Sequence, residues 1–187
     1  IGIATAACVK ALQPDCHLSV VARYTHQAEA ARAAGADEVI DGDVYAATQR
    51  ITGAKLYKGM LDNRMLLGGF DVVHDCVGSG ESLTDCLRWA AAGGAVVLVG
   101  AKIGPVTTDL TPIWSQEVSL IGSYAHGMES YQGRKVSTYS LVFELFENGC
   151  LSSDGLITNR FALDDWQQAV KKTTDKRSGV IKVALQC

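Results

Sequence analysis

The sequence has few of the features that mark a chain for membranes, nucleic acid or metal. It holds three prolines in 187 residues, and aromatic residues make up 7% of it. No apolar run approaches the roughly 18 residues a bilayer-spanning helix needs, so no membrane partner is expected and the protein reads as soluble. Seventeen basic residues stand against 20 acidic ones, a formal net charge of -3. No basic stripe of the kind that neutralises a phosphate backbone is present, so no nucleic-acid partner is expected. The six cysteines, Cys8, Cys16, Cys76, Cys86, Cys150 and Cys187, form no C-x-x-C and no Cys/His pair at zinc-ligand spacing. Reduced, mostly buried thiols of a cytoplasmic protein are the expectation. The start, Ile1-Gly2-Ile3, lacks the basic region and apolar core of a secretion signal.

What is there is an ordinary globular composition, 48% apolar and 20% charged, sized for one domain with or without a small appendage. The segment IGIATAACVKAL has apolar residues at helical spacing and stops at Gln13-Pro14. HLSVVA reads as a strand, THQAEAARAAGA as a helix capped by Thr25 and closed at Gly35, and DEVID as a strand. A helix near DVYAATQRIT follows. The stretch over 55–69 keeps no clean period and reads as an insertion. FDVVHDCVG and AVVLVGA read as strands covered on both faces, the second introduced by the turn Gly93-Gly94, with ESLTDCLRWAAA as a helix between them. After a loop through Pro105 and Pro112 come the strand EVSLIGSYA, a helix near Ser137 to Asn148 ended by Gly149, the strand LITNRFA, the helix DDWQQAVKKTT and the strand GVIKVAL. Strands alternating with helices at this spacing predict an α/β fold, a doubly wound parallel sheet that binds ligands at the carboxyl ends of its strands.

Three strand ends carry small residues: the turns after VVHDCVG and VVLVGA and the bend at LIGSYA. Small residues let a planar ring or a ribose approach the backbone, whose amides can then supply hydrogen bonds. Each alone is also what an ordinary turn looks like. The second strand adds direction. In dinucleotide folds an acidic residue about 20 positions past the phosphate loop binds the ribose of NAD, whereas a nearby Arg accommodates the 2′-phosphate of NADP. At that distance from Gly2 stands Ala22, followed by Arg23 and Tyr24. An uncharged residue before Arg removes repulsion toward a phosphate and offers it a bidentate partner, with Tyr24 placed to flank adenine. NADP is therefore expected ahead of NAD. A solvated surface arginine is the plain alternative.

From Gly2 to Cys187 the chain resembles the carboxyl-terminal, nucleotide-binding half of medium-chain dehydrogenases, the group of zinc-type alcohol, sorbitol and threonine dehydrogenases. The segments that carry the resemblance, in order, are IGIATAACVKAL, AARAAGADEVID, FDVVHDCVGSGESL, AAAGGAVVLVGA, EVSLIGSYA, LVFELFENGCL, LITNRFALDDWQQAV and SGVIKVAL. The family's phosphate loop reads G-x-G-x-x-G between the first strand and the first helix. Only its last glycine, Gly2, matches here, so the resemblance implies a Rossmann-like fold whose first strand and loop start are missing from the chain. It further implies a cofactor lined by Ala22, Arg23 and Tyr24 on the adenosine side, by Cys76, Val77 and Gly78, and by Val99, Gly100 and Ala101 near the nicotinamide. Ser123 and Ala125 match positions that meet the carboxamide, and Lys182 a basic residue near the pyrophosphate. Residues 1–150 would form the NAD(P)-binding domain, and 151–187 would pack on a catalytic domain absent from this chain.

The activity so implied is hydride transfer between NAD(P) and a small alcohol or carbonyl substrate. Zinc ligands and the proton relay would lie in the absent domain, so no catalytic or metal-binding residue is assigned here. Two alternatives stay open: a zinc-independent quinone or enone reductase, which shares this half, and a non-catalytic dinucleotide-binding module. The family usually dimerises through the strand EVSLIGSYA, so a homodimer or homotetramer is expected. Other candidates take plainer readings. His74 suits a core histidine, Asp71 and Asp75 suit turn or capping roles, and Cys76 has no activating base near it in sequence. His126, beside the bend, stays open.

Overall fold

The computed structural model describes residues 1–59, 64–175 and 177–186. The chain divides into two compact units, one of Ile1 with Gly42–Ala125 and one of Gly2–Asp41 with His126–Cys187.

The first unit is built on a parallel three-stranded sheet of β5 (Phe70–Asp75), β6 (Ala90–Leu98) and β7 (Ser119–Gly122), in that order. Parallel neighbours need a crossover, and α4 (Gly80–Trp89) supplies the one between β5 and β6. The apolar side of α4 buries Leu83, Cys86 and Leu87 in a core with Ala90, Val96 and Val118. Helix α3 (Val44–Thr52) starts on Asp43, whose carboxylate accepts from the Tyr45 amide at 2.9 Å, and ends on Gly53 in the left-handed region at φ 74°. A short α5 (Thr111–Ser115) precedes β7.

The irregular 55–69 stretch contains β3 (Lys55–Lys58) and β4 (Arg64–Leu67), an antiparallel pair in register from Lys55–Leu67 to Lys58–Arg64. The middle of the expected insertion, 60–63, lies outside the described residues. Leu66 is fully buried against Tyr45 and Ala54, with Leu56 and Trp89 around them. The Arg64 guanidinium lies 4.0 Å from the centre of the Tyr45 ring, a cation–π contact that pins β4 to α3.

The second unit contains α1 (Gly2–Leu12), β1 (Ser19–Val21), α2 (Thr25–Ala33) and β2 (Glu38–Ile40), with β1 and β2 parallel. Beyond the first unit the chain adds β8 (Met128–Tyr131), β9 (Arg134–Ser137), α6 (Thr138–Glu147), β10 (Ile157–Ala162), α7 (Trp166–Thr174) and β11 (Lys182–Gln186). Strands β10 and β11 are parallel, whereas β8 and β9 form a hairpin. Gln132 and Gly133 turn that hairpin at φ 49° and 77°, the double left-handed conformation that matches strand twist. Helix α6 buries Leu141 and Leu145 in a core with Val136 and Leu151, against Ala7, Cys8, Ala11 and Leu12 of α1. Lys10 closes α1: its ammonium donates to the carbonyls of Pro14 and Cys16 and pairs with Asp37 at 2.8 Å.

The α/β class and the parallel strands are as the sequence predicts, with the parallel strands divided between the two units. Five expectations are corrected. Strand β5 is not covered on both faces: Val72 is 51% exposed, because β5 is an edge of its sheet, and the opposite edge strand β7 is exposed along its length. His74 is exposed on β5 rather than in the core, for the same reason. Thr25 is the first residue of α2 and not its cap; Tyr24 holds that place without a side-chain bond. Gly93 and Gly94 lie within β6, where the pairing with β5 shifts register, and Ala90–Ala92 belong to this strand rather than to α4. The five described cysteines are free thiols, but only Cys86 is buried; burial raises its pKa, which makes it a poor nucleophile. Among the described residues no helix is long and apolar enough to cross a membrane.

Candidate functional site: the strand-end rim

The three parallel strands of the first unit finish level with one another. Asp75 pairs with Leu98, and Leu98 with Gly122, so Cys76, Val99 and Ser123 follow on one row at the carboxyl edge. The structure thus brings together eight expected site residues: Cys76, Val77, Gly78, Val99, Gly100, Ala101, Ser123 and Ala125. Val77 is 67% exposed and Tyr124 95%, which leaves this edge open to a ligand. Ala125 takes a left-handed φ of 47°, uncommon for a residue with a Cβ.

Behind the rim two turns meet backbone to backbone. A Cβ on Gly78 would overlap the carbonyl of Gly100, and a Cβ on Gly100 would overlap the peptide joining Cys76 to Val77. Gly78 also stands at φ 73°. Glycine is needed at both places for the main chains to touch. This refines the expectation that free amides serve a ligand here. The Val77 and Gly78 amides donate to a carboxylate oxygen of Asp75, those of Val99 and Gly100 to the Asp75 carbonyl, and that of Ser123 to the Leu98 carbonyl. These five amides are therefore already satisfied within the protein.

The other expected residues lie in the second unit. Gly2 opens α1. Ala22 follows β1, is 5% exposed, and donates its amide to Ile40 at 2.9 Å. Arg23 is exposed, with its amide directed to Gln27 at 3.3 Å. Tyr24 precedes α2 and stacks on His26, with ring centres 5.6 Å apart and planes 11° from parallel. Lys182 is exposed at the start of β11. His126 contacts the ring of Tyr139, with centres 4.9 Å apart. Asp75 has the turn role the sequence suggested. Among the described residues no three His, Cys, Asp or Glu side chains gather as a metal site.

One feature at the rim went unread in the sequence. The segment after Ala101 returns across α4 as a strap. A Cβ on Gly80 would overlap the Thr107 carbonyl. Thr84 and Thr108 share a hydrogen bond of 2.9 Å, the Asp109 amide donates to the Thr84 hydroxyl at 3.2 Å, and Arg88 pairs with Asp109 at 2.5 Å. The only advance signal is the alternation of Thr and Asp residues that can cap and tether. The Thr111 hydroxyl and amide, ahead of the Arg88 guanidinium, hold the Asp109 carboxyl below its ordinary value of 3.8. A lowered carboxyl pKa stabilises the fold above the unfolded-state value, and this is lost as pH falls through the folded value. Above pH 3.8, Asp109→Asn should therefore be less stable than wild type, and the gap should close under acid. Urea unfolding across pH checks this; a gap constant from pH 7 to 2 contradicts it.

The first 138 residues match the model of the zinc-binding dehydrogenases. The chain belongs to the zinc-binding dehydrogenase family. It corresponds to the carboxyl-terminal, nucleotide-binding half of that family. An L-idonate 5-dehydrogenase of Vitis vinifera is 32% identical over 119 residues, 63% of this chain and 30% of that protein. A sorbitol dehydrogenase of Arabidopsis thaliana is 28% identical over 154 residues, 82% of this chain and 38% of that one. Among solved structures, a short chain alcohol dehydrogenase from E. coli CFT073, complexed with NADH, matches with a TM-score of 0.76 at 18% identity. That match covers all of this chain and 49% of the other, so the chain spans half or less of the length of each of these relatives.

Proposed function

We propose that the chain is the cofactor-holding half of an NAD(P)-dependent oxidoreductase that moves hydride between nicotinamide and a small alcohol or carbonyl substrate. The observation that carries this is the rim itself: three parallel strands of a zinc-binding dehydrogenase relative ending in one row, closed from behind by the Gly78–Gly100 contact. Such a row admits a flat ring close to main chain, and a Cβ at either glycine would displace the turns that form it. The rim residues from Cys76 to Gly78 and Val99 to Ala101, with Ser123 and Ala125, would hold the nicotinamide half. Ala22, Arg23 and Tyr24 would hold the adenosine half, with Gly2 and Lys182 near the pyrophosphate. The nicotinamide supplies the hydride; these residues bind and orient it. Zinc, where the whole enzyme uses it, would be held by a domain outside this chain.

The cofactor preference follows from Arg23, which is exposed beside Ala22 with no acidic residue at either position. Its guanidinium suits a 2′-phosphate, so NADPH is expected to bind at least tenfold more tightly than NADH. Arg23→Asp should reverse the order. Titration of both reduced cofactors by fluorescence tests this, and equal affinities before and after the change would remove the claim.

Residues 1–150 are read as the NAD(P)-binding domain and 151–187 as the segment that packs on the catalytic domain. Leu163, Trp166 and Val170 leave an apolar stripe exposed for that contact, each more than half exposed. Among the described residues no strand pairs with the outer edge of β7, which supports a homodimer built by strand pairing. The free cysteines accord with a cytoplasmic setting.

A further inference from the structure

We propose that Asp75 is the positioning residue of the dinucleotide site, setting the turns after β5 and β6 together. The proposal rests on the cofactor reading above. Asp75 is 1% exposed at the last position of β5. One carboxylate oxygen accepts from the amides of Val77 at 2.9 Å and Gly78 at 3.0 Å, and the other from the Ser82 hydroxyl at 3.1 Å. Its main-chain carbonyl accepts from the amides of Val99 at 3.0 Å and Gly100 at 2.8 Å. Five donors from three segments thus converge on one residue.

Among the described residues no cation pairs with this carboxylate. A buried charge without a counter-ion is costly, and here only hydrogen bonds offset the cost. Bonds to an ionised acceptor are roughly twice as strong as neutral ones. The Asp75 side chain therefore holds the Cys76–Gly78 turn in the bend that lets Gly78 reach Gly100, while its main chain holds the Val99–Gly100 turn from the other side. Ser82 belongs to the support: its hydroxyl also accepts from the Ser79 amide in the box that caps α4. Apolar residues could fill the volume of Asp75, but none could hold two adjacent amides inward. Its place at the hinge of both turns makes Asp75 a determinant of cofactor affinity without itself touching the ligand.

The test separates positioning from stability. Asp75→Ala and, as a control, the core change Leu83→Ala are titrated with NADPH and NADH at a temperature where circular dichroism shows each variant folded. Asp75→Ala is expected to weaken binding of both cofactors at least tenfold. Leu83→Ala is expected to lower the melting temperature while leaving affinity within twofold of wild type. Should Asp75→Ala fail to fold, Asp75→Asn carries the test: its amide oxygen can still face Val77 and Gly78 but forms neutral bonds, and a three- to tenfold loss is expected. Affinity within twofold of wild type in Asp75→Ala, or in Asp75→Asn where that variant replaces it, overturns the role of Asp75. So does an equal loss in Leu83→Ala. Wild-type protein that binds neither dinucleotide overturns the cofactor reading instead.

Discussion

Gly100→Ala is expected to unfold the first unit or to lower its melting temperature by more than about 10 °C, given that each kcal/mol shifts the midpoint by roughly 2–8 °C in domains of this size. The added methyl would sit on the peptide between Cys76 and Val77, and the atoms it meets are main chain. A flexible side chain could swing aside; a peptide held by the Asp75 carboxylate cannot. Relief requires pulling β5 and β6 apart at their ends or breaking the turn. Overpacking usually costs about 1–3 kcal/mol and occasionally more, and the upper end applies where the obstacle is backbone. Gly104→Ala is the informative contrast. Gly100 has no left-handed φ, whereas Gly104 stands at 112°, yet a Cβ on Gly104 meets nothing within 4 Å. The cost should be confined to local backbone strain, on the order of 1–3 kcal/mol. Thermal melts of both variants decide the matter. Two alanine variants with equal midpoints would show that the strand-end contact is not rigid.

The second large effect is expected from Leu87→Ala. Leu87 is fully buried among Leu83, Cys86, Ala90, Val96 and Val118, where α4 meets the sheet. Removing three carbons loses their transfer free energy and leaves a cavity that a helix tethered by the strap cannot collapse to fill, so about 2–5 kcal/mol should be lost. Native domains hold only about 5–15 kcal/mol in all, so the variant should unfold at markedly lower urea. A loss under about 1 kcal/mol would mean the site relaxes around the cavity, against the packing described.

Much of this fold could be read in the chain because helices and strands each carry a local period. The Ala-rich α1 and α2, and the β-branched runs of β1, β5 and β6, fall where their patterns put them. What escaped depends on distant partners. The Gly78–Gly100 contact joins residues that each read as an ordinary turn, and nothing local says that the two turns touch. The exposure of His74 and β7 follows from sheet order, which no single strand encodes. The β3–β4 pair hid because its inward members, half-buried Leu56 and buried Leu66, are interleaved with Lys, Tyr and Met. Gln132-Gly133 is a weaker hairpin signal than Asn-Gly, so β8 and β9 went unread. At the site, the turn role of Asp75 could be read from residue type, because Asp bonds main-chain amides a few positions ahead. The strap could not, since Thr84 and Thr108 sit on segments whose approach only the tertiary fold sets.

The β3–β4 hairpin rests on its own small seat, with Leu66 locked between Tyr45 and Ala54 and Arg64 laid over the Tyr45 ring. An appendage that carries its own footing can be trimmed, lengthened or grafted ahead of that footing while the parent sheet keeps its packing.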